Sequence, residues 1–278
     1  MSICTKEDSR HTLKQAKKCG SNLFEEVKLD CENLICVAGR PGMGTTSLVL
    51  HMVLEYVRKN IKSVCIFTLD LSAEQLYDRL LIALSGVDFY TFREKLFSES
   101  EERKIDDAKE QLSQMKLIID DTPYHSVQQI EDKIKRVSDV GLVVIDNFQQ
   151  LLDEQKMRKC KEEGYEIGRQ LKNLAECRHI PIIITSKLSR RLERRINKKP
   201  RQSDLRGTGV SADNADTVCL VYRRGYYSPF TTEDEAEIII SKNKYGIRRR
   251  IPLRWQSRIM SFSDVELFEW DYRKQMKG

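Results

Sequence analysis

A glycine-rich segment near the start of the chain has the residue types that hold phosphate. An apolar run beginning at Leu34 precedes it, and apolar residues at helical spacing follow it. Tightly turning glycines point successive backbone N–H groups into one concavity, and the next helix directs its positive end there. The segment consists of Gly39, Arg40, Pro41, Gly42, Met43, Gly44, Thr45, Thr46 and Ser47. We expect these residues to bind the phosphates of a nucleotide such as ATP.

The spacing of this segment follows the phosphate-loop pattern of Gly, four residues, Gly, Lys and then Ser or Thr, with one exception. Thr45 occupies the position of the lysine. The alternative is an ordinary connection between a strand and a helix, in which the glycines serve only the turn. Residues further along the chain favour nucleotide binding, because they supply the partners that such a loop needs.

Three of those partners each follow an apolar run of strand length: Asp70, Asp146 and Lys187. In a parallel sheet the carboxyl ends of the strands form the ligand site, so these side chains should meet beside the loop. We expect Asp146 and the hydroxyl of Thr46 to hold Mg²⁺. Asp70 is predicted to orient or deprotonate an attacking water. For either aspartate the alternative is a solvated residue at a strand end.

Apolar runs alternate with helical patterns over most of the chain, which indicates buried parallel strands covered by helices on both faces. After the first run, the predicted strands are residues 63–69, 117–119, 141–145 and 180–185. Beyond Asp216 the pattern changes to short runs joined by turns, at residues 217–222, 236–241, 250–254 and 257–262. The predicted class is therefore α/β, a mainly parallel twisted sheet flanked by helices with antiparallel strands at its C-terminal edge.

Positive charge is concentrated in one segment of this 278-residue chain of net charge +6. Residues 190–206 contain eight Lys or Arg and two acids, an excess as large as that of the whole protein. A loop of this kind would follow a nucleic-acid backbone with salt-dependent affinity, although a solvated charge run is the alternative. The predicted DNA-binding residues are Arg190, Arg191, Arg194, Arg195, Lys198, Lys199, Arg206, Gly207 and Gly209.

Composition argues against several other classes of protein. The eight cysteines form no C-x-x-C pair, so neither a zinc site nor a redox motif is indicated. No stretch reaches the ~18 apolar residues that span a bilayer, and the N-terminus has no signal-peptide pattern. We expect a cytoplasmic protein without membrane contact. Its expected parts are an N-terminal arm (1–30), one main domain (31–265) and a C-terminal tail (266–278).

Together these segments resemble the C-terminal motor domain of DnaB-type replicative helicases, over roughly residues 33–262. The motifs that carry the resemblance lie at residues 38–46, 67–75, 144–149, 186–193, 203–209, 213–216 and 238–246. It implies a RecA-like P-loop NTPase fold that uses ATP and Mg²⁺, with Gln149 retained in the nucleotide site. It also implies that Arg206 and the glycines after it hold single-stranded DNA. We expect the protein to lack the family's helical N-terminal domain.

The resemblance also assigns catalytic positions, and the chain departs from the family at four of them. Thr45 replaces the loop lysine, Asp70 the glutamate that activates water, and Lys187 the glutamine that senses the γ-phosphate. Lys242 and Lys244 fall where the family sends a lysine and an arginine finger into the neighbouring subunit's nucleotide, so Lys244 replaces the arginine. Since lysine does not reproduce the bidentate fork of arginine, we expect weak or absent ATP turnover.

Three hypotheses follow. The first is a DnaB-like protein of DNA replication that binds ATP and single-stranded DNA, with impaired hydrolysis, as a homo-oligomeric ring or in a hetero-assembly with a replicative helicase. The second is a non-enzymatic accessory subunit with a structural nucleotide site. The third, a recombinase or clock-type RecA relative, explains residues 203–209 less well. Within the site, Lys187 either restores the cation lost at Thr45 or reflects drift.

Overall fold

The computed structural model describes residues 26–29, 31–123, 126–151, 160–206, 212–227 and 235–264, with the side chains of 160–163 left aside. Most of the expected N-terminal arm and all of the expected tail lie outside these ranges, so the predicted domain limits stay predictions. In this part of the chain no helix combines the length and the apolar character that crossing a membrane requires.

A nine-stranded sheet runs through the molecule in the order β3-β2-β4-β5-β1-β6-β7-β8-β9. The strands from β3 to β6 in that order pair in parallel, and those from β6 to β9 pair in antiparallel fashion. The strands are β1 (Leu34–Gly39), β2 (Ser63–Thr68), β3 (Leu117–Asp120), β4 (Val140–Asp146), β5 (Ile182–Lys187), β6 (Thr217–Arg223), β7 (Glu235–Asn243), β8 (Arg250–Gln256) and β9 (Ser261–Asp264). The predicted fold class is confirmed.

Helices cover both faces of the parallel part. They are α1 (Thr45–Lys59), α2 (Ala73–Ser85), α3 (Phe89–Glu94), α4 (Glu99–Gln114), α5 (Val127–Ile134) and α6 (Cys160–Arg178). Alternation along β4 shows how the two layers arise: Leu142 and Val144 pack in the core beneath α1, α2 and α4, whereas Val143 and Ile145 pack in the core beneath α5 and α6. Burying each such side chain contributes about 1.5–3 kcal/mol, so both layers hold the sheet in place.

Most strands begin and end within two residues of the prediction, and two strands differ from it most. Strand β5 begins at Ile182 because the Ile180 N–H donates to the Ala175 carbonyl at the end of α6, and Pro181 has no N–H to give. It continues to Lys187, which is therefore the last residue of the strand and not the first after it. The final strand begins at Ser261, since a short 3₁₀ turn (Ser257–Ile259) occupies its predicted start.

Candidate nucleotide site

The glycine-rich loop turns sharply between β1 and α1 at two glycines with positive φ, Gly42 (82°) and Gly44 (85°). Both positions are also crowded: a Cβ on Gly44 would lie 2.9 Å from the Trp255 ring, and one on Gly42 would lie 3.1 Å from Tyr226. Gly44 is the N-cap of α1, and no side chain caps that end of the helix. The first N–H groups of α1 are therefore available to an anion.

Side chains from the antiparallel end of the sheet form one wall of this loop. Phe262 of β9 lies with Trp255 of β8 against Gly44, their ring centroids 4.8 Å apart. The guanidinium of Arg223 lies 4.3 Å from the centre of the Trp255 ring and donates a 2.9 Å hydrogen bond to the Gly42 carbonyl. The shape of the loop thus depends on residues that come much later in the chain.

A cavity of about 350 Å³ opens beside the loop, at the carboxyl ends of β1, β4 and β5. Of the predicted nucleotide and catalytic residues it is lined by Gly39, Arg40, Pro41, Gly42, Gly44, Thr45, Thr46, Ser47, Asp70, Asp146 and Lys187. Met43 is buried in the core instead. Gln149 lies behind the lining, where it donates to Ser186 Oγ at 2.7 Å and accepts from the Lys187 N–H at 3.3 Å.

Thr46 and Asp146, one hundred residues apart in sequence, meet in the cavity. The Thr46 hydroxyl donates a 2.7 Å hydrogen bond to Oδ2 of Asp146, and the Thr185 hydroxyl donates to Oδ1. Burial raises the pKa of Asp146 above the ordinary aspartate value, although these two hydrogen bonds oppose the rise. A buried carboxylate of this kind has a strong electrostatic demand for a cation.

The residues present fit a magnesium-bound nucleotide. Hydroxyl and carboxylate oxygens are ligands that Mg²⁺ prefers, and Thr46 and Asp146 offer one of each beside open backbone N–H groups. The side-chain oxygen Oδ1 of Asn147, which also lines the cavity, is buried without a hydrogen-bond partner among the described residues. A buried acceptor without a partner costs free energy, so a donor from a bound ligand or its water would relieve that cost.

Asp70 is held by two donors at the edge of the same cavity. Asn147 Nδ2 lies 3.1 Å from Oδ2 of Asp70, and the Lys187 ammonium lies 3.0 Å from the same oxygen. Both donors engage the same oxygen, so a water molecule that approached Oδ2 would have to displace one of them. The geometry therefore opposes the use of Asp70 as a general base for water.

Two arginines line the cavity with their side chains in orientations that the sequence does not predict. Arg40 turns away from the loop: Nε and Nη2 donate to Glu193 at 2.9 and 2.7 Å, and Nη1 donates to the Leu188 carbonyl at 2.8 Å. Arg79, which the sequence pattern does not single out, lines the cavity from α2. Its only signal in the sequence is its place on the helix that follows Asp70, where a charged residue is usually solvated.

Lys242 and Lys244 do not line this chain's cavity. Lys242 donates to the carbonyls of Ala212 and Asp213 at 2.9 and 3.1 Å. Lys244 forms an ion pair with Asp216 at 3.2 Å. Asp216 is buried, and it also binds Lys172 of α6 at 2.6 Å and accepts from the Leu34 N–H at 3.0 Å.

The basic segment divides into two groups. Arg195 pairs with Asp204 at 2.8 Å, Lys199 pairs with Glu237 at 2.6 Å, and Lys198 donates to the Glu193 carbonyl. These three cations are engaged within the fold. The side chains of the other predicted residues in the described range are exposed; they are Arg190, Arg191, Arg194 and Arg206. Gly207 and Gly209 lie outside the described residues.

Comparison with solved structures agrees with this architecture. The ATPase domain of one solved protein superposes with a TM-score of 0.81 at 23% identity, covering 95% of this chain and 100% of that one. A DnaB-like replicative helicase, described with its interactions with primase, superposes with a TM-score of 0.80 at 22% identity, over 96% of this chain and 68% of that one. At these identities the similarity shows the fold.

Comparison with sequence relatives shows the family as well as the fold. A probable replicative DNA helicase of Trieres chinensis is 35% identical over 245 residues, and the replicative helicase DnaC of Bacillus subtilis is 34% identical over 239 residues. Each match covers 84% of this chain but only 54% and 53% of those proteins, so the chain spans about half their length. The DnaB-like helicase C-terminal domain profile matches residues 28–264. The resemblance is confirmed: the chain belongs to the DnaB-like helicase C-terminal domain family.

Proposed function

We propose that this chain binds Mg²⁺-ATP and single-stranded DNA as a DnaB-like motor domain in DNA replication, and that it hydrolyses ATP slowly or not at all. The observation that carries nucleotide binding is the 2.7 Å contact between Thr46 and Asp146 beside the phosphate loop. It joins two segments that are one hundred residues apart in sequence, at the edge of the sheet where α/β proteins bind ligands.

Each part of the chain has a distinct task in this proposal. The backbone N–H groups of Gly44, Thr45 and Thr46, at the uncapped start of α1, hold the phosphates, while Thr46 and Asp146 hold the metal. The bound Mg²⁺ would neutralise charge on the phosphate oxygens. Thr185 keeps the Asp146 carboxylate oriented through its hydrogen bond. Gln149 fixes the end of β5 by bridging Ser186 and the Lys187 N–H.

Slow hydrolysis is supported by the surroundings of Asp70. Its Oδ2 accepts from Lys187 at 3.0 Å and from Asn147 at 3.1 Å, so an attacking water at that oxygen would have to displace one of these donors. The loop offers the hydroxyl of Thr45 in place of an ammonium. Removing one such electrostatic contact from a transition state typically costs about 2.7–4 kcal/mol, or about 100- to 1,000-fold in rate.

The exposed arginines of the basic segment support DNA binding. Arg190, Arg191 and Arg194 lie on one short 3₁₀ turn directly after β5, and Arg206 follows at the end of the next turn. The contribution of Lys242 and Lys244 to a neighbouring subunit's nucleotide would require a ring, or a mixed assembly with a replicative helicase. Neither lysine reaches this chain's own cavity, which agrees with such a role.

The proposal is tested by titrating the protein with ATP, with and without Mg²⁺, and by measuring ATP turnover with and without single-stranded DNA. We expect ATP binding that Mg²⁺ strengthens and that Asp146→Asn weakens, together with turnover far below that of a DnaB-family helicase measured alongside. Exposed Lys62→Gln serves as the matched control. Absence of ATP binding, or turnover equal to the reference helicase, would overturn it.

A second candidate function is favoured by the same Asp70–Lys187 ion pair. A site whose water-activating carboxylate is engaged by a lysine can serve as a structural nucleotide site in a non-enzymatic accessory subunit. This candidate predicts ATP binding with no turnover at any DNA concentration. It also predicts that the chain alters the DNA unwinding rate of a replicative helicase when the two are mixed. Turnover stimulated by DNA would exclude it.

A further inference from the structure

Three cations line the phosphate cavity among the described residues: Arg40, Arg79 and Lys187. A nucleotide triphosphate needs a positive side chain in such a cavity, and the loop offers Thr45 where that cation would stand. The question is which of the three can contact phosphate without giving up an existing partner. Breaking a partly buried ion pair to bind a ligand would subtract from the affinity gained.

Arg40 and Lys187 are already engaged. All the donors that Arg40 uses point away from the loop, to Glu193 and to the Leu188 carbonyl. Arg40 is also buried, with 10% of its side chain exposed, so reorienting it would leave Glu193 without its partner. Lys187 donates to Asp70 at 3.0 Å, and its main-chain N–H is fixed by Gln149.

Arg79 is different. Within the ranges that the structure describes, its guanidinium has no hydrogen bond and no ion pair within contact distance, although the side chain is half-buried and lines the cavity. Burial lowers the pKa of Arg79, and the charge of Asp146 opposes that shift. An arginine remains protonated under such conditions, so an unpaired positive charge lies among the phosphate-site residues.

The backbone that carries Arg79 is firmly placed. Helix α2 opens with a capping box, in which Ser72 Oγ accepts from the Gln75 N–H and the Gln75 side chain accepts from the Ser72 N–H. Leu76 and Leu80, three residues before Arg79 and one after it, are fully buried in the core. Because one turn of helix fixes the direction of each side chain, Arg79 stays directed at the cavity.

We infer that Arg79 supplies the cation that the phosphate loop lacks at Thr45, by contacting the terminal phosphate of the bound nucleotide. The inference rests on the proposed nucleotide binding and names the residue responsible for it. In this inference the loop N–H groups at the start of α1 hold the inner phosphates. The terminal phosphate is then left to Arg79, which lines the cavity from α2, the helix that follows Asp70. A guanidinium presents parallel N–H donors that match two phosphate oxygens, which a single threonine hydroxyl at position 45 does not do.

The test compares Arg79→Gln, Arg79→Lys and Lys187→Ala in titrations with ATP and with ADP, each with Mg²⁺ and again in EDTA. Arg93→Gln, an exposed arginine on α3, is the matched control. We expect Arg79→Gln to weaken ATP binding about 10- to 100-fold, the range for a lost charge-assisted hydrogen bond, and to weaken ADP binding less. Arg79→Lys should retain part of the affinity, and Lys187→Ala should change it less than about threefold.

EDTA separates direct contact from an indirect effect through Asp146. If Arg79 touches phosphate, its replacement weakens ATP binding without metal as well; if the loss disappears in EDTA, the inference is wrong. Unchanged ATP affinity in Arg79→Gln, equal losses for ATP and ADP, or abolished binding in Lys187→Ala would also overturn it. Thermal unfolding without nucleotide verifies that each variant folds. If the unaltered protein fails to bind ATP, the proposed function itself fails, which is a distinguishable result.

Discussion

Lys187 and Asp70 form an ion pair of 3.0 Å at the edge of the phosphate cavity, and each side chain remains about half exposed, at 49% and 45%. A pair so open to solvent contributes only about 0–1 kcal/mol to stability. Its effect is on access, because the Lys187 ammonium occupies Oδ2 of Asp70, an oxygen that an attacking water would otherwise reach.

Freeing Asp70 while restoring the loop cation should raise ATP turnover. We expect the double variant Thr45→Lys, Lys187→Gln to turn over ATP about tenfold or more faster than either single variant, since the two changes correct separate electrostatic defects. Steady-state phosphate release with single-stranded DNA measures this, and Lys62→Gln is the control. A double variant no faster than the singles would contradict it.

The competing hypothesis for Lys187 makes an opposite prediction about binding. If Lys187 replaces the missing loop lysine, Lys187→Ala abolishes ATP binding, and Thr45→Lys restores it in that background. The ion pair with Asp70 favours the other outcome, in which Lys187→Ala leaves the affinity nearly unchanged. A titration of the two variants with a fluorescent ATP analogue separates the hypotheses.

Asp146 should make the metal-free protein less stable as the pH rises. Burial raises its pKa in the folded state, so folding favours the protonated form and the cost of the buried charge grows above the ordinary aspartate pKa. Asp146→Asn should therefore unfold at a higher temperature than the unaltered protein at pH 7 in EDTA, and the difference should shrink as the pH falls toward 4. Mg²⁺ with ATP should stabilise the unaltered protein more than the Asn variant. An Asn variant less stable at pH 7 than at pH 4, relative to the unaltered protein, contradicts this.

Asp216 joins β1, α6 and the end of β7, so its loss should cost stability. Asp216→Ala would leave the buried Leu34 N–H without its acceptor and Lys172 without its nearest carboxylate. We expect a loss of about 3 kcal/mol in urea unfolding. Lys244→Ala removes only the exposed member of the cluster and should cost less than about 1 kcal/mol. Equal losses of unfolding free energy in Asp216→Ala and Lys244→Ala would contradict this prediction.

The contribution of Asp216 to folding stability should also depend on pH, because hydrogen bonds shift the pKa of its carboxyl group. Burial pulls the pKa of Asp216 upward, but the hydrogen bonds from Lys172 and the Leu34 N–H lower it below the ordinary value. The stability it contributes is present above the ordinary aspartate pKa and is lost as the pH falls through the lowered value. The difference between the unaltered protein and Asp216→Ala should therefore narrow in acid.

DNA affinity should depend on the exposed arginines more than on the paired cations. Replacing Arg190, Arg191 and Arg194 by Gln should weaken single-stranded DNA binding and flatten its logarithmic salt dependence by about two units. Arg195→Gln should leave the slope nearly intact and reduce stability instead, because it frees the buried Asp204. Fluorescence anisotropy over a salt series measures both. A larger change in the salt dependence of DNA binding for Arg195→Gln than for the triple variant would contradict this prediction.

The features that can be predicted from the sequence are those that depend on the order and spacing of neighbouring residues. The phosphate loop and the residues at the strand ends follow from local spacing, and the structure brings Thr46, Asp70, Asp146 and Lys187 to one cavity. Side-chain direction is a tertiary property that spacing does not reveal. Arg40 has the sequence position of a loop residue, yet it turns to Glu193, which is 153 positions away.

Arg79 is the converse case, a residue of the cavity that the sequence does not single out. A charged residue on an amphipathic helix is usually solvated, and only the packing of Leu76 and Leu80 against the sheet brings Arg79 into the cavity. The basic segment likewise reads as eight equivalent cations in sequence. Its division into exposed and paired members depends on Asp204 and Glu237, whose positions the spacing does not indicate.

The aromatic pair at Gly44 links the phosphate loop to the last described strand of the sheet. Trp255 and Phe262 belong to β8 and β9, the outermost antiparallel strands, and an outermost strand frays first when a protein opens locally. Fraying of β9 would remove the wall behind Gly44 and loosen the backbone that holds phosphate. Nucleotide affinity is therefore tied to how firmly this edge stays paired, and a bound nucleotide should slow amide exchange in β8 and β9 as strongly as in the loop itself.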